Sequence, residues 1–274
     1  MVGGLVGASD IMGTIADSDS AGSVSGEAFV GGIVGVNTWG GVTRSYSTAS
    51  VCGTGGGVGG LVGYSEGSIS GSYSTGSVSG TGATGGLVGF NGDVLHGYAT
   101  VVHCYSTGVV SDRKCAGGLV GANRGKVAFC YSRGVVIGTE KVGGLAGSHN
   151  DNSIVTQSFW DTQTSGQTAS ADGRGLPTAE MQTAKTFLDA GWDFVGETAN
   201  GPNDVWKIAE GLGYPRLAWE KYSGGTGEPN DPYQIATAAD LIALGNEPND
   251  YDRHFILTAD IDLDPNLPGR KVFD

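Results

Sequence analysis

Hydrophobic residues return at a nearly constant interval from Gly3 to Trp160, and glycine, serine and asparagine separate them. The most regular feature is the segment Gly-Gly-Leu-Val-Gly or a close variant, which occurs six times at similar spacing. The six copies are residues 3–7, 31–35, 59–63, 85–89, 117–121 and 143–147. Self-similarity at such a period is typical of solenoids and other repeat architectures.

A second landmark, Tyr-Ser-Thr-Gly or a variant, follows each copy of the first in the same repeat. Aligned on both landmarks, the repeats share three hydrophobic columns. These are Leu5, Ile33, Leu61, Leu87, Leu119 and Leu145; Ile15, Val42, Ile69, Val101, Val127 and Val155; and Val24, Val51, Val78, Val110 and Val136. Short β-branched strands bury no face alone, but stacked copies share one core. The pattern predicts an all-β fold, a parallel β-helix (β-solenoid) with six coils, one for each copy.

A polar column accompanies the hydrophobic ones, six residues after the first glycine of each repeat. It consists of Ser9, Asn37, Ser65, Asn91, Asn123 and His149. Asparagine accepts the left-handed backbone of tight turns, and its amide can bond the same side chain in the next coil. We therefore predict a structural ladder at Asn37, Asn91 and Asn123; a polar binding stripe is the alternative.

The fourth repeat carries an insertion, since its second landmark, Tyr105, follows Gly85 at a greater distance than the equivalent spacing in the other repeats. We expect the surplus, within residues 93–103, to bulge as a loop, because insertions in solenoids map to loops that often lie on the binding face. The cluster of chemically versatile side chains here makes His96, Tyr98 and His103 the candidate binding residues. An ordinary surface loop is the alternative.

The four cysteines, at positions 52, 104, 115 and 130, contain no Cys-x-x-Cys pair, which argues against a zinc knuckle. Cys104 and Cys130 share a column directly before the landmark tyrosine. We predict two stacked, buried or half-buried thiols there. In an oxidising compartment the pair is a candidate disulfide, although in-register parallel strands rarely present ideal geometry.

The repeat pattern ends near Trp160, and the rest of the chain predicts different elements. Residues 178–190 predict a short helix with Thr178 as N-cap and Gly191 as its end. Aromatic and aliphatic residues then crowd together: Trp192, Phe194, Trp206, Ile208, Tyr214, Pro215, Leu217 and Trp219. We expect them to plug the open end of the solenoid, because solenoids need terminal caps. A platform on which carbohydrate stacks is the alternative.

The predicted organisation has four parts: a solenoid at 1–168, a cap region at 169–222, a linker at 223–231 and the incomplete opening segment of a second module at 232–274. In the last part Thr237 begins a helix over Ala238–Leu244 with a capping-box-like signal. Residues 254–264 predict a strand. Its alternating Asp260, Asp262 and Asp264 could bind Ca²⁺, but the EF-hand glycine and distal glutamate are missing, and a solvated acidic edge is the preferred interpretation.

Charge and motifs narrow the function classes. The net charge is −13, and most of the acidic excess lies after the repeats. An acidic chain without a basic stripe argues against nucleic acid and anionic membrane surfaces as partners. No apolar run is long enough to span a membrane. The scattered histidines, the missing carboxylate column and the absence of hydrolase motifs argue against an enzyme.

The recurring Gly-Gly-Leu-Val-Gly followed by Ser/Cys-Tyr-Ser-Thr-Gly resembles the GLUG-motif repeat family over roughly residues 3–168. The resemblance implies a right-handed β-helix in a large bacterial surface or secreted protein, some of which are adhesin-like. Residues 190–194 and 214–219 resemble the segment that closes such arrays, and residues 232–235 and 259–263 the segment that opens one. The chain is therefore expected to be part of a larger multidomain protein.

The leading hypothesis is a non-enzymatic, extracellular stalk or adhesin segment that presents a repetitive surface to glycans or surface proteins. It needs no cofactor, apart from the candidate Ca²⁺ at the C-terminal aspartates. The alternative is a carbohydrate-active β-helix enzyme, a polysaccharide lyase or glycoside hydrolase, or a glycan-binding module. A groove beside the insertion with several carboxylates, lysines or arginines would favour the enzyme.

Overall fold

The computed structural model describes residues 1–92, 99–225, 227, 229 and 232–261. Residues 2–161 form a parallel β-solenoid of about six turns of ~27 residues, and a small helical part follows. The all-β solenoid predicted from the repeats is confirmed. None of the helices in the described ranges is long and apolar enough to cross a membrane.

The first five coils contribute short strands to five parallel sheets and the sixth coil to four of them. The sheets are numbered here in the order in which the chain enters them. Sheet 1 contains Val2–Gly3, Val30–Gly31, Val58–Gly59, Thr84–Gly85, Cys115–Gly117 and Lys141–Gly143. Sheet 2 contains Val6–Ser9, Val34–Asn37, Val62–Ser65, Val88–Asn91, Val120–Asn123 and Ala146–His149. The two halves of the Gly-Gly-Leu-Val-Gly segment therefore lie in two sheets, with the leucine at the bend between them.

The remaining three sheets complete the coil. Sheet 3 contains Thr14–Ala16, Gly41–Thr43, Ser68–Ser70, Thr100–Val102, Lys126–Ala128 and Ile154–Thr156. Sheet 4 contains Asp19–Ser20, Tyr46–Ser47, Tyr73–Ser74, Tyr105–Ser106, Tyr131–Ser132, Phe159–Asp161 and Arg174–Leu176. Sheet 5 contains Ser23–Gly26, Ser50–Gly53, Val78–Gly80, Val110–Asp112 and Val136–Ile137. Equivalent repeat positions pair with one another in every sheet, so each sequence column becomes a physical stack.

The insertion of the fourth repeat is narrower than the sequence predicted. Thr100–Val102 is a strand in register with Ser68–Ser70 on one side and Lys126–Ala128 on the other. The expectation that the bulge extends to residue 103 is wrong, because the β-branched run Thr-Val-Val fills its normal place in the ladder. Residues 93–98 lie outside the described residues.

Close packing requires all three glycines of the motif in the third copy. A Cβ atom on Gly60 would come within 3.0 Å of the Gly86 carbonyl oxygen and of Ser74 Oγ. A Cβ atom on Gly59 or Gly63 would likewise collide with backbone atoms. Real Cβ atoms do not approach this closely, so any side chain here would force the backbone apart. The second glycine of the motif, Gly60, therefore faces Ser74, the serine that follows the landmark tyrosine. This contact explains why the two landmarks occur together.

The main core of the solenoid contains the predicted leucine column and the second predicted column beside it. The third predicted column packs in separate clusters that include Val78 and Val110. Leu87 in the fourth coil is 0% exposed, whereas Leu5 in the first coil is 53% exposed because no described coil lies above it. Full burial of one such side chain contributes about 1.5–3 kcal/mol to stability. Among the described residues, the interior coils therefore pack against a coil on both sides and the first coil on one side.

The last coil is covered by the residues that directly follow it. Trp160 stands in register with Ser132, lies against Gly144 and donates its indole N–H to the Gln167 carbonyl at 3.1 Å. Backbone hydrogen bonds from the Gly144 N–H to the Ala169 carbonyl and from the Ala171 N–H to the Ala146 carbonyl continue the ladder. A helix over Thr162–Ser165, capped by the carboxylate of Asp161, lies between them.

Residues 177–222, here called the flank segment, contain two short helices instead of the single helix predicted. They are Thr178–Met181 and Ala184–Leu188, and Thr178 is the first helical residue, not the N-cap. Glu210 accepts the Ala184 N–H at 2.8 Å and the Gly211 N–H donates to the Gln182 carbonyl at 2.8 Å. These tertiary bonds replace the helical bonds at the break. The segment also contains the antiparallel strands Trp206–Lys207 and Arg216–Leu217.

The last described residues form a small parallel strand pair with a helix between the strands. The strands are Tyr233–Ile235 and Phe255–Leu257, and the helix is Ala238–Asn246, followed by a 3₁₀ turn at Pro248–Asp250. The predicted capping box is present, since Thr237 accepts the Asp240 N–H and Asp240 accepts the Thr237 N–H. The strand predicted over 254–264 is shorter than expected, because Thr258–Ile261 is irregular.

Candidate functional site

The landmark tyrosines form a continuous stack along sheet 4, here called the tyrosine face. The rings of Tyr46, Tyr73, Tyr105 and Tyr131 follow one another at centroid distances of 4.9, 4.8 and 5.1 Å and are nearly parallel. In-register coils place identical side chains one above the other, so the stacking follows from the repeat itself. Tyr73 and Tyr105 are covered on both ring faces by neighbouring tyrosines, so only their ring edges remain open to a ligand.

The flank segment covers the tyrosine face. Trp219 lies against Tyr73 with 5.9 Å between ring centroids, Trp206 against Tyr131 at 6.2 Å, and Trp192 against Phe159 at 6.1 Å. The prediction that these aromatic residues plug the open end is wrong: they run back along the side of the solenoid. The physical reason is that residues 160–173 already cover the last coil, whereas the tyrosine column would otherwise face water.

Hydrogen bonds fix the flank segment to the corner that precedes sheet 4. The Trp219, Trp206 and Trp192 indole N–H groups donate to Gly71 O at 3.0 Å, His103 Nδ1 at 3.3 Å and Gln157 O at 3.0 Å. These three acceptors occupy the same corner in coils three, four and six, with φ of +53°, +53° and +43°. The three tryptophans therefore bind the same corner in three of the coils.

A buried ion pair lies beneath this layer. Arg216 pairs with Glu220, and the Tyr105 hydroxyl donates to Glu220 Oε2 at 2.8 Å. Burial raises the pKa of Tyr105 well above its ordinary value. Burial alone would lower the pKa of Arg216, but the charge of Glu220 and the nearby phenols raise it. The pair is therefore an internal structural link, because its charges neutralise each other.

Between the tyrosine face and the C-terminal residues lies a cavity of about 660 Å³, here called the flank groove. Its solenoid wall contains the row two residues after each landmark tyrosine position, namely Ala21, Thr48, Thr75, Thr107 and Arg133. Its opposite wall contains Gln182, Leu212, Gly213, Tyr214, Arg216, Ser223, Gly225 and Gln234. Among the described residues no aspartate or glutamate lines it, although the chain as a whole is acidic.

Arg133 provides a positive charge in the groove. Its guanidinium lies 4.8 Å from the centroid of the Tyr214 ring, and it forms no ion pair within the part of the chain that the structure describes. The Tyr214 hydroxyl is occupied, since it donates to Asp161 Oδ2 at 2.6 Å. Burial and this bond raise the pKa of Tyr214 to about 12. The ring holds the guanidinium in place by a cation–π contact.

The comparison with protein families identifies the repeat. Residues 54–79 match the GLUG motif. The matched residues include the third Gly-Gly-Leu-Val-Gly copy and the tyrosine landmark of the same coil, so the predicted resemblance is confirmed there. No curated protein and no solved structure matches the chain.

Of the three candidate binding residues, His96 and Tyr98 lie outside the described residues. His103 lies at the corner before sheet 4 of the fourth coil, with its ring 5.1 Å from that of Phe129. Burial lowers its pKa, while the charge of Asp193 acts in the opposite direction. The structure thus places His103 beneath the flank segment, not in a surface loop.

The polar column of the solenoid coils forms a buried ladder. Asn91 Nδ2 donates to Asn123 Oδ1 at 2.8 Å, and Asn37 Nδ2 donates to Ser65 Oγ at 3.2 Å. Asn37, Asn91 and Asn123 are 0% exposed. A ligand cannot reach them, so this column supports the coils and does not form a binding stripe.

The other candidate residues are not brought together into a site. Cys104 and Cys130 are buried free thiols, with the Cys104 N–H 3.4 Å from Cys130 Sγ, and burial raises the pKa of Cys130. Asp260 is exposed, while Asp262 and Asp264 lie outside the described residues. Within the described ranges, no three His, Cys, Asp or Glu side chains are grouped so as to hold a metal ion.

Only the solenoid wall of the groove could be recognised in the sequence. The row Thr48, Thr75, Thr107 and Arg133 is a regular column two residues after the tyrosine, and alignment of the repeats reveals it. The opposite wall comes from residues without any period. Nothing in their spacing indicates that they return along the solenoid, so the cavity could not be predicted.

Proposed function

We propose that the chain is a rigid, non-enzymatic segment of an extracellular or cell-surface protein, a stalk that presents a repetitive surface for contacts outside the cell. The observation that carries the proposal is the flank segment, which contacts coils two to six while the repeats stack in register beneath it. Six coils spaced by about 4.8 Å give a rod of about 29 Å.

The physical reason is cooperativity. In a bare solenoid each repeat contacts only its neighbours, so coils can open one at a time from an end. The flank segment is bound to the third, fourth and sixth coils by tryptophan hydrogen bonds. It therefore connects coils that are otherwise coupled only through the coils between them. Opening one of these coils then requires the segment to detach as well. This coupling makes the solenoid more rigid, as the proposed role of a stalk requires.

Amide hydrogen exchange of the intact chain tests the stiffness. The proposal predicts that strands of coils three to six exchange slowly and with similar opening free energies, because they open together. Exchange that proceeds coil by coil from the C-terminal end would contradict it.

Two further measurements test the proposed location outside the cell and the proposed absence of catalysis. Antibody against the chain should label intact cells of the source organism, and external protease should abolish the label. Incubation of the purified chain with a panel of polysaccharides should leave their lengths unchanged. Release of oligosaccharides, if abolished by a substitution in the groove, would establish the enzyme alternative instead.

A further inference from the structure

The flank groove has the shape of a site for a chain molecule. Its solenoid wall extends from the first coil to the fifth, since it is lined from Ala21 to Arg133. Four steps of about 4.8 Å each give a length of about 19 Å. A volume of about 660 Å³ lies within the range of ligand pockets. The groove can therefore hold several linked units, and each coil spacing is close to the length of one sugar residue.

The walls offer side-chain hydrogen bonding at regular intervals. Thr48, Thr75 and Thr107 contribute one hydroxyl per coil, and the amides of Gln182 and Gln234 lie in the opposite wall. Hydroxyls and amides both donate and accept, which suits a ligand rich in hydroxyl groups. The tyrosine rings are stacked on one another, so a planar aromatic ligand has no open ring face on the solenoid wall.

The charge of the groove selects for an acidic ligand. Glu220 neutralises the charge of Arg216. Arg133, whose guanidinium packs on the Tyr214 ring at one end of the groove, remains as a cation that can bind the ligand. The planar guanidinium binds carboxylate and sulfate groups in bidentate fashion. The nearby Asp161 does not compete, because Tyr214, Thr178 and two backbone N–H groups already donate to its carboxylate.

A peptide is a poorer fit. Extended peptides usually gain affinity by adding a strand to an open sheet edge. In sheet 4 the strands Tyr73–Ser74 and Tyr105–Ser106 pair with coils on both sides, so their backbone groups are used. We infer that the flank groove binds a linear acidic oligosaccharide, whose carboxylate or sulfate group contacts Arg133 and whose hydroxyls contact the threonine row.

Calorimetric titration of the intact chain with defined hexamers tests this inference. The probes are a hexamer of galacturonate, a sulfated heparin-derived hexasaccharide, neutral cellohexaose and hexaglutamate. We expect one acidic hexasaccharide to bind at least about tenfold more tightly than cellohexaose, which lacks the charged group that pairs with Arg133. It should bind at least about tenfold more tightly than hexaglutamate as well, because hexaglutamate carries carboxylates but no hydroxyls for the threonine row. The acidic probe that binds more tightly identifies the carboxylate or the sulfate as the recognised group.

Two substitutions locate the site. Arg133→Thr introduces the residue found at this position in coils two to four, and it should weaken binding about tenfold. Arg113→Thr removes the same charge from an exposed arginine outside the groove and should change the affinity less than about twofold. Circular dichroism and thermal midpoints verify that both variants fold. Failure of both acidic probes to bind, equal binding of hexaglutamate or cellohexaose, or an unchanged affinity in Arg133→Thr would overturn the inference.

Discussion

The leucine column inside the solenoid and the tyrosine column outside it arise in the same way, but different partners bury them. Leu87 is enclosed by other columns of the same repeats, whereas Tyr105 is enclosed by Trp206 and Glu220 of the non-repeating flank segment. Both side chains are fully or nearly fully buried. Burial of a repeated residue therefore does not show that the repeat itself covers it, and the two columns should respond differently to mutation.

The largest effect is expected in the inner column. Leu87→Ala should lower the free energy of unfolding by about 4 kcal/mol, because the coils on both sides prevent the cavity from collapsing. Urea unfolding followed by circular dichroism measures it. Leu212→Ala, at a residue that is 68% exposed, is the matched control and should cost less than about 0.5 kcal/mol. Equal effects at the two positions would contradict the assignment of the core.

A smaller and more local effect is expected on the flank. Trp206→Ala should cost about 3 kcal/mol, because it removes the contacts to Tyr105 and Tyr131 and the bond to His103. Limited proteolysis should then cleave within 177–222 while the solenoid remains intact. Cleavage throughout residues 1–160 would show instead that the solenoid depends on the segment for its folding.

The smallest effect concerns pH. Burial lowers the pKa of His103 in the folded chain, so the unfolded chain binds the proton more readily. The resulting stability is present above the ordinary histidine pKa of about 6.5 and is lost as the pH falls through the lower folded value. Tryptophan fluorescence during thermal unfolding should show a falling midpoint from pH 7 to pH 5.

His103→Asn is the variant that isolates this dependence. Asparagine tolerates positive φ and its amide oxygen can accept from Trp206, but it does not titrate. The fall between pH 7 and pH 5 should be smaller in this variant than in the wild type. His254→Asn, at an exposed histidine, should leave the dependence as it is. An equal slope in both variants would show that His103 is not the titrating group.

The repeated part of the fold could be predicted from the sequence because equivalent residues in every coil have the same packing requirements. Gly60 must be glycine since it faces Ser74 and the next coil, and this requirement recurs at the same spacing in each copy. The leucine and valine columns follow for the same reason. The asparagine column also emerged, because Asn91 and Asn123 are stacked by the register alone.

The flank could not be predicted because its position depends on contacts without a period. Trp219 and Tyr46 are far apart in the sequence, yet their ring centroids are 6.5 Å apart. The aromatic cluster correctly indicated a covering element, but a solenoid offers both an end and a side. No pattern in the sequence indicates that Trp160 and the residues after it cover the end. The second wall of the groove was missed for the same reason.

The most direct test asks where the flank segment lies. Double electron–electron resonance measures the distance between two spin labels on cysteines introduced in a Cys52→Ser background. One sample carries Lys221→Cys with Arg44→Cys, and the other carries Lys221→Cys with Asn152→Cys. Lys221 follows Trp219, which lies against Tyr46 and Tyr73, so the label at 221 should be closer to 44 in the second coil than to 152 in the sixth. A shorter distance to 152 would mean that the segment plugs the end, and the account of the tyrosine face and its groove would fail.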